Sequence, residues 1–228
     1  MKKLAIIACL GLSIGAQAQT VFYGGDWDGA SALVAEINSI FPESYYNSVV
    51  YDDFTVTTET RIDGVFGNFF TIGNPTLSHT LYWEIRKGIT PHDGGTVVHD
   101  GTVSNATVTS NGDIIDGSNP GYLYDSDVDS FVLEPGTYFL GLAVDHPTSW
   151  YFVATTSGDN GIGSPLANGN SFWTSAENGA FFNSVGTDFD GRYDFSMGLR
   201  GSPVPEPASF AALGLGILSL GRRRKKKH

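Results

Sequence analysis

The chain has 228 residues, with 24 acidic and 13 basic side chains, 29 glycines and a single cysteine. Eight of the bases lie at the two ends (Lys2, Lys3, Arg222, Arg223, Arg224, Lys225, Lys226 and Lys227), so residues 19–204 keep five bases against 23 acids, a formal charge of −18. Such a segment repels phosphate backbones, which argues against nucleic acid as a partner, and it attracts cations. One cysteine rules out a disulfide framework within the chain.

Met1-Lys2-Lys3 is a short positive start, and Leu4 to Ile14 is an apolar run too short for a bilayer span of about 20 residues. Ala16 and Ala18 place small residues where a signal peptidase accommodates them, so residues 1–18 read as a signal peptide cut after Ala18. Cys9 falls inside the apolar run. Lipid attachment there would leave only Leu4 to Ala8 before it, below the length such regions use. Next, Asp28 as a cap and Ala30, Leu33, Val34 and Ile37 at helical spacing predict one short helix over 29–39, ended by Phe41-Pro42.

From there the pattern is strands and turns. Leu81, Trp83 and Ile85 alternate with Tyr82, Glu84 and Arg86, a period of two. Val128 to Leu133 and Thr137 to Val144 flank Glu134-Pro135-Gly136 and predict a hairpin. Further strands are expected at Ser48 to Thr57, Arg61 to Phe70, Thr102 to Thr109, Trp150 to Thr155 and Tyr193 to Leu199. Pro91-His92-Asp93-Gly94-Gly95 and Asn111-Gly112-Asp113 read as turns, and Gly158 to Gly186 as a long loop-rich excursion. Many short strands with little helix predict an all-β, two-sheet antiparallel sandwich of jelly-roll type over residues 19–202.

The tail, residues 203–228, has three parts in order. Pro205-Glu206-Pro207 is stiff and polar, Ala208 to Gly221 is apolar, and Arg222 to Lys227 is an unbroken cationic block. This order resembles the PEP-CTERM sorting signal of exopolysaccharide-producing bacteria. The resemblance implies a short transmembrane helix, transient anchoring in the inner membrane, and cutting near the motif by an exosortase, a cysteine-dependent membrane protease. It also implies delivery to the cell surface or extracellular matrix. Val50-Tyr51-Asp52-Asp53-Phe54, Gly64-Val65-Phe66-Gly67, Tyr82-Trp83-Glu84-Ile85-Arg86 and Pro135-Gly136-Thr137-Tyr138 resemble phrases of β-rich ectodomains that carry this tail. That likeness implies a shared fold and transfers no catalytic residues.

Asp125, Asp127 and Asp129 at alternate positions would project from one face of a strand, where Ca²⁺ would relieve their repulsion. The calcium-loop pattern then fails, because Ser130 and Gly136 stand where an EF-hand has glycine and a bidentate Glu. The bland reading is a solvated acidic face. Asp188, Asp190 and Asp194 form a second acidic group, and Asp26 and Asp28 could join either group across space. His79, His92, His99 and His146 are scattered and carry no metal spacing, and no Gly-x-Ser-x-Gly elbow is present. Among the four tryptophans, Trp83 and Trp150 read as core, whereas Trp27 and Trp173 have Gly- or Asn-rich surroundings suited to stacking on sugar rings. Asn105-Ala106-Thr107 is a glycan-acceptor triplet.

These observations lead first to a non-enzymatic exported surface or matrix protein that meets signal peptidase, an exosortase and exopolysaccharide, and needs no cofactor. A carbohydrate-binding sandwich stabilised by calcium is the second reading. A secreted glycan hydrolase, which would need two carboxyls about 5–10 Å apart, is the third.

Overall fold

A computed structural model of the chain describes residues 19–38, 47–72, 77–146, 150–189 and 193–205. The expected signal peptide, with Ala16 and Ala18, and the tail from Glu206 onward lie outside the described residues. In chain order the strands are β1 (Gln19–Tyr23), β2 (Trp27–Val34), β3 (Glu36–Ile37), β4 (Ser48–Val56), β5 (Thr60–Thr71), β6 (Leu81–Lys87), β7 (Thr96–Val103), β8 (Thr107–Ile115), β9 (Asn119–Leu133), β10 (Gly136–Asp145), β11 (Tyr151–Thr156), β12 (Ser171–Ser175) and β13 (Ala180–Ser184). A four-residue helix α1 (Val185–Asp188), β14 (Asp194–Phe195) and β15 (Met197–Pro203) follow.

The strands form two sheets. In the first, β5 is the axis: β9 and then β8 lie on one edge, and β15 with β1, and β11 with β2 and β14, lie on the other. The second runs β13-β12-β4-β10-β6-β7, with β3 added parallel to the end of β10. All other pairings are antiparallel. The sheets face each other through alternate residues, so Val50 and Phe54 of β4, Leu140 and Leu142 of β10, and Val65 and Phe69 of β5 share one buried core. A smaller apolar cluster, with Val49, Tyr51, Phe139, Ala143, Phe172 and Phe182, lies on the other side of the second sheet.

Four local expectations are corrected. The described part of the segment predicted as a helix over 29–39 holds β2 and β3 instead: Ala32, Leu33 and Val34 pair with Ala154, Val153 and Phe152 of β11. Asp28 does accept the Ala30 N–H, but as a local turn beside Gly29, whose φ of 76° no helix allows. Pairing with an open strand edge outweighs a modest helical periodicity. The predicted hairpin is a crossing between sheets, because β9 pairs with β5 and β8 while both edges of β10 are taken by β4 and β6. Thr102 to Thr109 is likewise a corner, where β7 of one sheet ends and β8 of the other begins. The stretch Gly158 to Gly186 contains β12, β13 and the start of α1, and β12 is an interior strand between β4 and β13.

Candidate functional site: a groove on the outer face of the first sheet

Along β5, Val65 and Phe69 point into the core, so Phe66, Asn68 and Phe70 point outward. Register sets Phe66 opposite Asp125 and Asn68 opposite Leu123 of β9. On the other edge Gly198 of β15 lies opposite Phe66, and Tyr23 of β1 opposite Gly198. A Cβ at position 198 would stand 2.5 Å from the Phe66 ring, so glycine lets that ring lie across β15 towards Tyr23, at a centroid separation of 5.5 Å. Tyr23, Phe66, Asn68, Leu123 and Asp125 line an open groove of about 740 Å³ together with Thr20, Asp26, Trp27, Thr109, Ser110, Asn111, Asp113 and Arg200.

The polar lining is held in place by its own hydrogen bonds. Tyr23 donates its hydroxyl to Asp26 Oδ1 at 2.8 Å, and Asn160 Nδ2 donates to Asp26 Oδ2 at 2.7 Å. Asn68 Nδ2 donates to Ser196 Oγ at 2.8 Å, and Asn111 Nδ2 donates to Asn68 Oδ1 at 3.2 Å. Trp27 stands edge-on to Phe70 at 4.8 Å and donates its indole N–H to the Ser31 carbonyl at 3.2 Å, which fixes the ring in the groove wall. Burial pushes the Tyr23 hydroxyl up to about 12, so it stays a donor. Burial, and then the charge of Asp26, raise the Asp113 carboxyl above its ordinary value. Flat rings beside oriented amides and carboxylates are the equipment for gripping a polyhydroxyl ligand.

The residues singled out in the sequence divide. Trp27 and Asp125 line the groove. Trp173 does not: it is 5% exposed in the core, and its Nε1 donates to Asp188 Oδ2 at 2.9 Å. Trp83 is core as expected, whereas Trp150 is 38% exposed. The three carboxylates of the acidic face do not stay together as one group. Arg200 Nη2 lies 2.8 Å from Asp125 Oδ1 and 2.9 Å from Asp127 Oδ1, so a protein cation occupies the place proposed for a metal. Asp129 is carried away by a bulge, since residues 128–130 face only Asp63 between the Asp127–Gly64 and Phe131–Ile62 pairs. Among the described residues no group of three or more His, Cys, Asp or Glu side chains is placed to hold a metal ion. Asp188 is engaged by Trp173 and Asn183, Asp28 by Thr155, and Asp190 lies outside the described residues.

Asn68, Asn111, Asp113 and Arg200 were not legible as a site. Asn111-Gly112-Asp113 reads as a turn; it is instead a bulge within β8, with Gly112 at φ 86°, and it leaves both polar side chains on the groove wall.

Two further polar constellations are structural. Asp52 on the core side of β4 accepts the Phe195 N–H at 2.8 Å, and Asp194 accepts the Gly169 N–H at 3.1 Å. Burial and the neighbouring Asp194 charge push the Asp52 carboxyl well above its ordinary range, and burial raises Asp194 as well. On the outside of the second sheet Tyr51 donates to Glu84 Oε1 at 2.5 Å, and Glu84 Oε2 meets Arg86 Nε at 2.9 Å. Val50 to Phe54 and Tyr82 to Arg86 thus meet at one contact.

Fold and groove together define an antiparallel β-sandwich with an open, aromatic and polar face. The chain carries a PEP-CTERM protein-sorting motif, whose family model matches residues 203–225. That motif implies export, transient membrane anchoring through the C-terminal tail and processing by an exosortase. Its first residue, Pro203, is the last of β15, and the Val204 N–H still donates to the Glu59 carbonyl at 2.8 Å. No curated protein matches the chain.

Proposed function

We propose that this is a non-enzymatic surface or extracellular-matrix protein whose sandwich, of jelly-roll type, holds polysaccharide in the groove of the first sheet while the tail directs sorting. The observation that carries the reading is the groove itself, where Trp27, Tyr23 and Phe66 offer rings beside the anchored amides of Asn68 and Asn111. A signal peptide over residues 1–18, with Ala16 and Ala18 at the cut, and a sorting motif at Pro205, Glu206 and Pro207 complete the route to the surface.

The hydrolase reading draws on Asp26 and Asp113, two carboxyls in one groove. Each Asp26 oxygen accepts one hydrogen bond, from Tyr23 or Asn160, and keeps a further lone pair, so this reading is separated from glycan binding by whether sugar is released.

Two measurements test the proposal. Intact mass of the protein recovered from its host should lack residues 1–18 and the segment after Pro207, and Glu206→Ala should block that processing while the circular-dichroism spectrum is kept. Recovery of surface protein that still carries Arg222 to Lys227 would refute the processing half. Incubation with oligosaccharides should give retention without new reducing ends; released sugar would instead establish a hydrolase.

A further inference from the structure

Resting on the glycan-binding reading, we infer that the groove selects glycans bearing free protonated amines, such as de-N-acetylated amino sugars, over acetylated, neutral and uronate-bearing chains. Among the described residues three carboxylates line the groove, Asp26, Asp113 and Asp125, against one cation, Arg200. Arg200 is already committed to Asp125 and Asp127. Among the described residues Asp26 is held by neutral donors alone, the Tyr23 hydroxyl and the Asn160 amide, so no cation there compensates its charge. The carboxylate of Asp113 accepts no hydrogen bond and makes no ion pair among the described residues.

The consequence for a ligand is specific. A glycan laid on Trp27 covers the groove and removes water from Asp113 and Asp26. A neutral or acetylated sugar offers Asp113 only hydroxyl or amide donors, which recover less of the desolvation cost of a carboxylate than a charged donor does. A uronate sets a third unpaired negative charge against two, in a segment whose overall charge of −18 already opposes it. An ammonium gives a charge-assisted bond to a carboxylate and is also attracted to the faces of neighbouring aromatic rings. Only the amino sugar answers both the rings and the unbalanced charge.

The test is titration calorimetry on the full chain in detergent with four hexasaccharides: glucosamine, N-acetylglucosamine, glucose and a hexuronate. The glucosamine hexamer should bind about tenfold more tightly than its acetylated counterpart, with an advantage that shrinks as salt is raised. The hexuronate should bind most weakly. Asp113→Asn, a change at the surface that leaves the core intact, should remove the preference by weakening the glucosamine hexamer and, since an amide costs less to desolvate than a carboxylate, by easing binding of the acetylated one. Equal affinities for the glucosamine and acetylated hexamers, or a preference that survives Asp113→Asn, would overturn the amine inference and leave glycan binding standing. Absence of binding to all four hexamers by a folded chain would overturn the glycan-binding reading, and this inference with it.

Discussion

The backbone N–H of Tyr151 donates to Oε2 of Glu36 at 2.9 Å, a bond from the first strand residue of β11 in one sheet to a buried carboxyl of β3 in the other. Burial pushes that carboxyl up to about 7 from an ordinary 4.5, although the Tyr151 bond pulls it down. The folded chain therefore binds a proton at Glu36 that the unfolded chain has released. The resulting stability is fully present below about pH 4.5 and is lost as the pH rises through 7. Melting temperature followed from pH 4 to 8 should fall across that window, and Glu36→Gln should flatten this part of the profile.

Asp52 and Asp194 extend the same argument to a pair of carboxyls with raised pKa values. Asp52→Asn keeps an acceptor for the Phe195 N–H and removes one like charge, so it should stabilise the chain above neutral pH. Asp52→Leu leaves the Phe195 and Asp53 N–H groups without that acceptor and should cost about 1–3 kcal/mol. Denaturant unfolding at pH 8 checks both. The order Asn above wild type above Leu is expected.

Arg200 already neutralises the acidic face of β9, which sets the outcome with calcium. Melting in calcium and in sodium at equal ionic strength should give equal midpoints, in wild type and in Asp127→Asn alike. A calcium-specific rise that Asp127→Asn removes would show that the carboxylates prefer the metal to Arg200; a site at a hundredfold excess over Kd stabilises by roughly 2.7 kcal/mol.

Gly141 lies opposite both Tyr51 and Glu84 in the second sheet, and a Cβ there would stand 2.6 Å from the Tyr51 ring. Gly141→Ala should push Tyr51 off Glu84 and destabilise the chain by about 1–3 kcal/mol, as overpacking does. Tyr51→Phe, which removes the same hydrogen bond without a clash, should cost less. Thermal unfolding of the two variants side by side separates crowding from the lost bond.

The strands with strict alternation were legible without coordinates, because a period of two is a local property of the chain. Leu81, Trp83 and Ile85 point to the core as their spacing requires. The sorting tail was equally legible, since its three parts are contiguous and its chemistry depends only on their order. Which strand edge takes which partner is not local. The segment from Trp27 to Val34 has a passable helical period and becomes a strand because β11 offers an open edge. The groove was hidden for the same reason. Trp27, Asn68, Asn111 and Arg200 lie on four strands from separate parts of the chain, and only the register of the first sheet brings them to one face. Composition showed an acidic chain, strand patterning its β class and the tail motif its export; tertiary pairing decided where two carboxylates would share a groove with aromatic rings and, among the described residues, with no cation of their own.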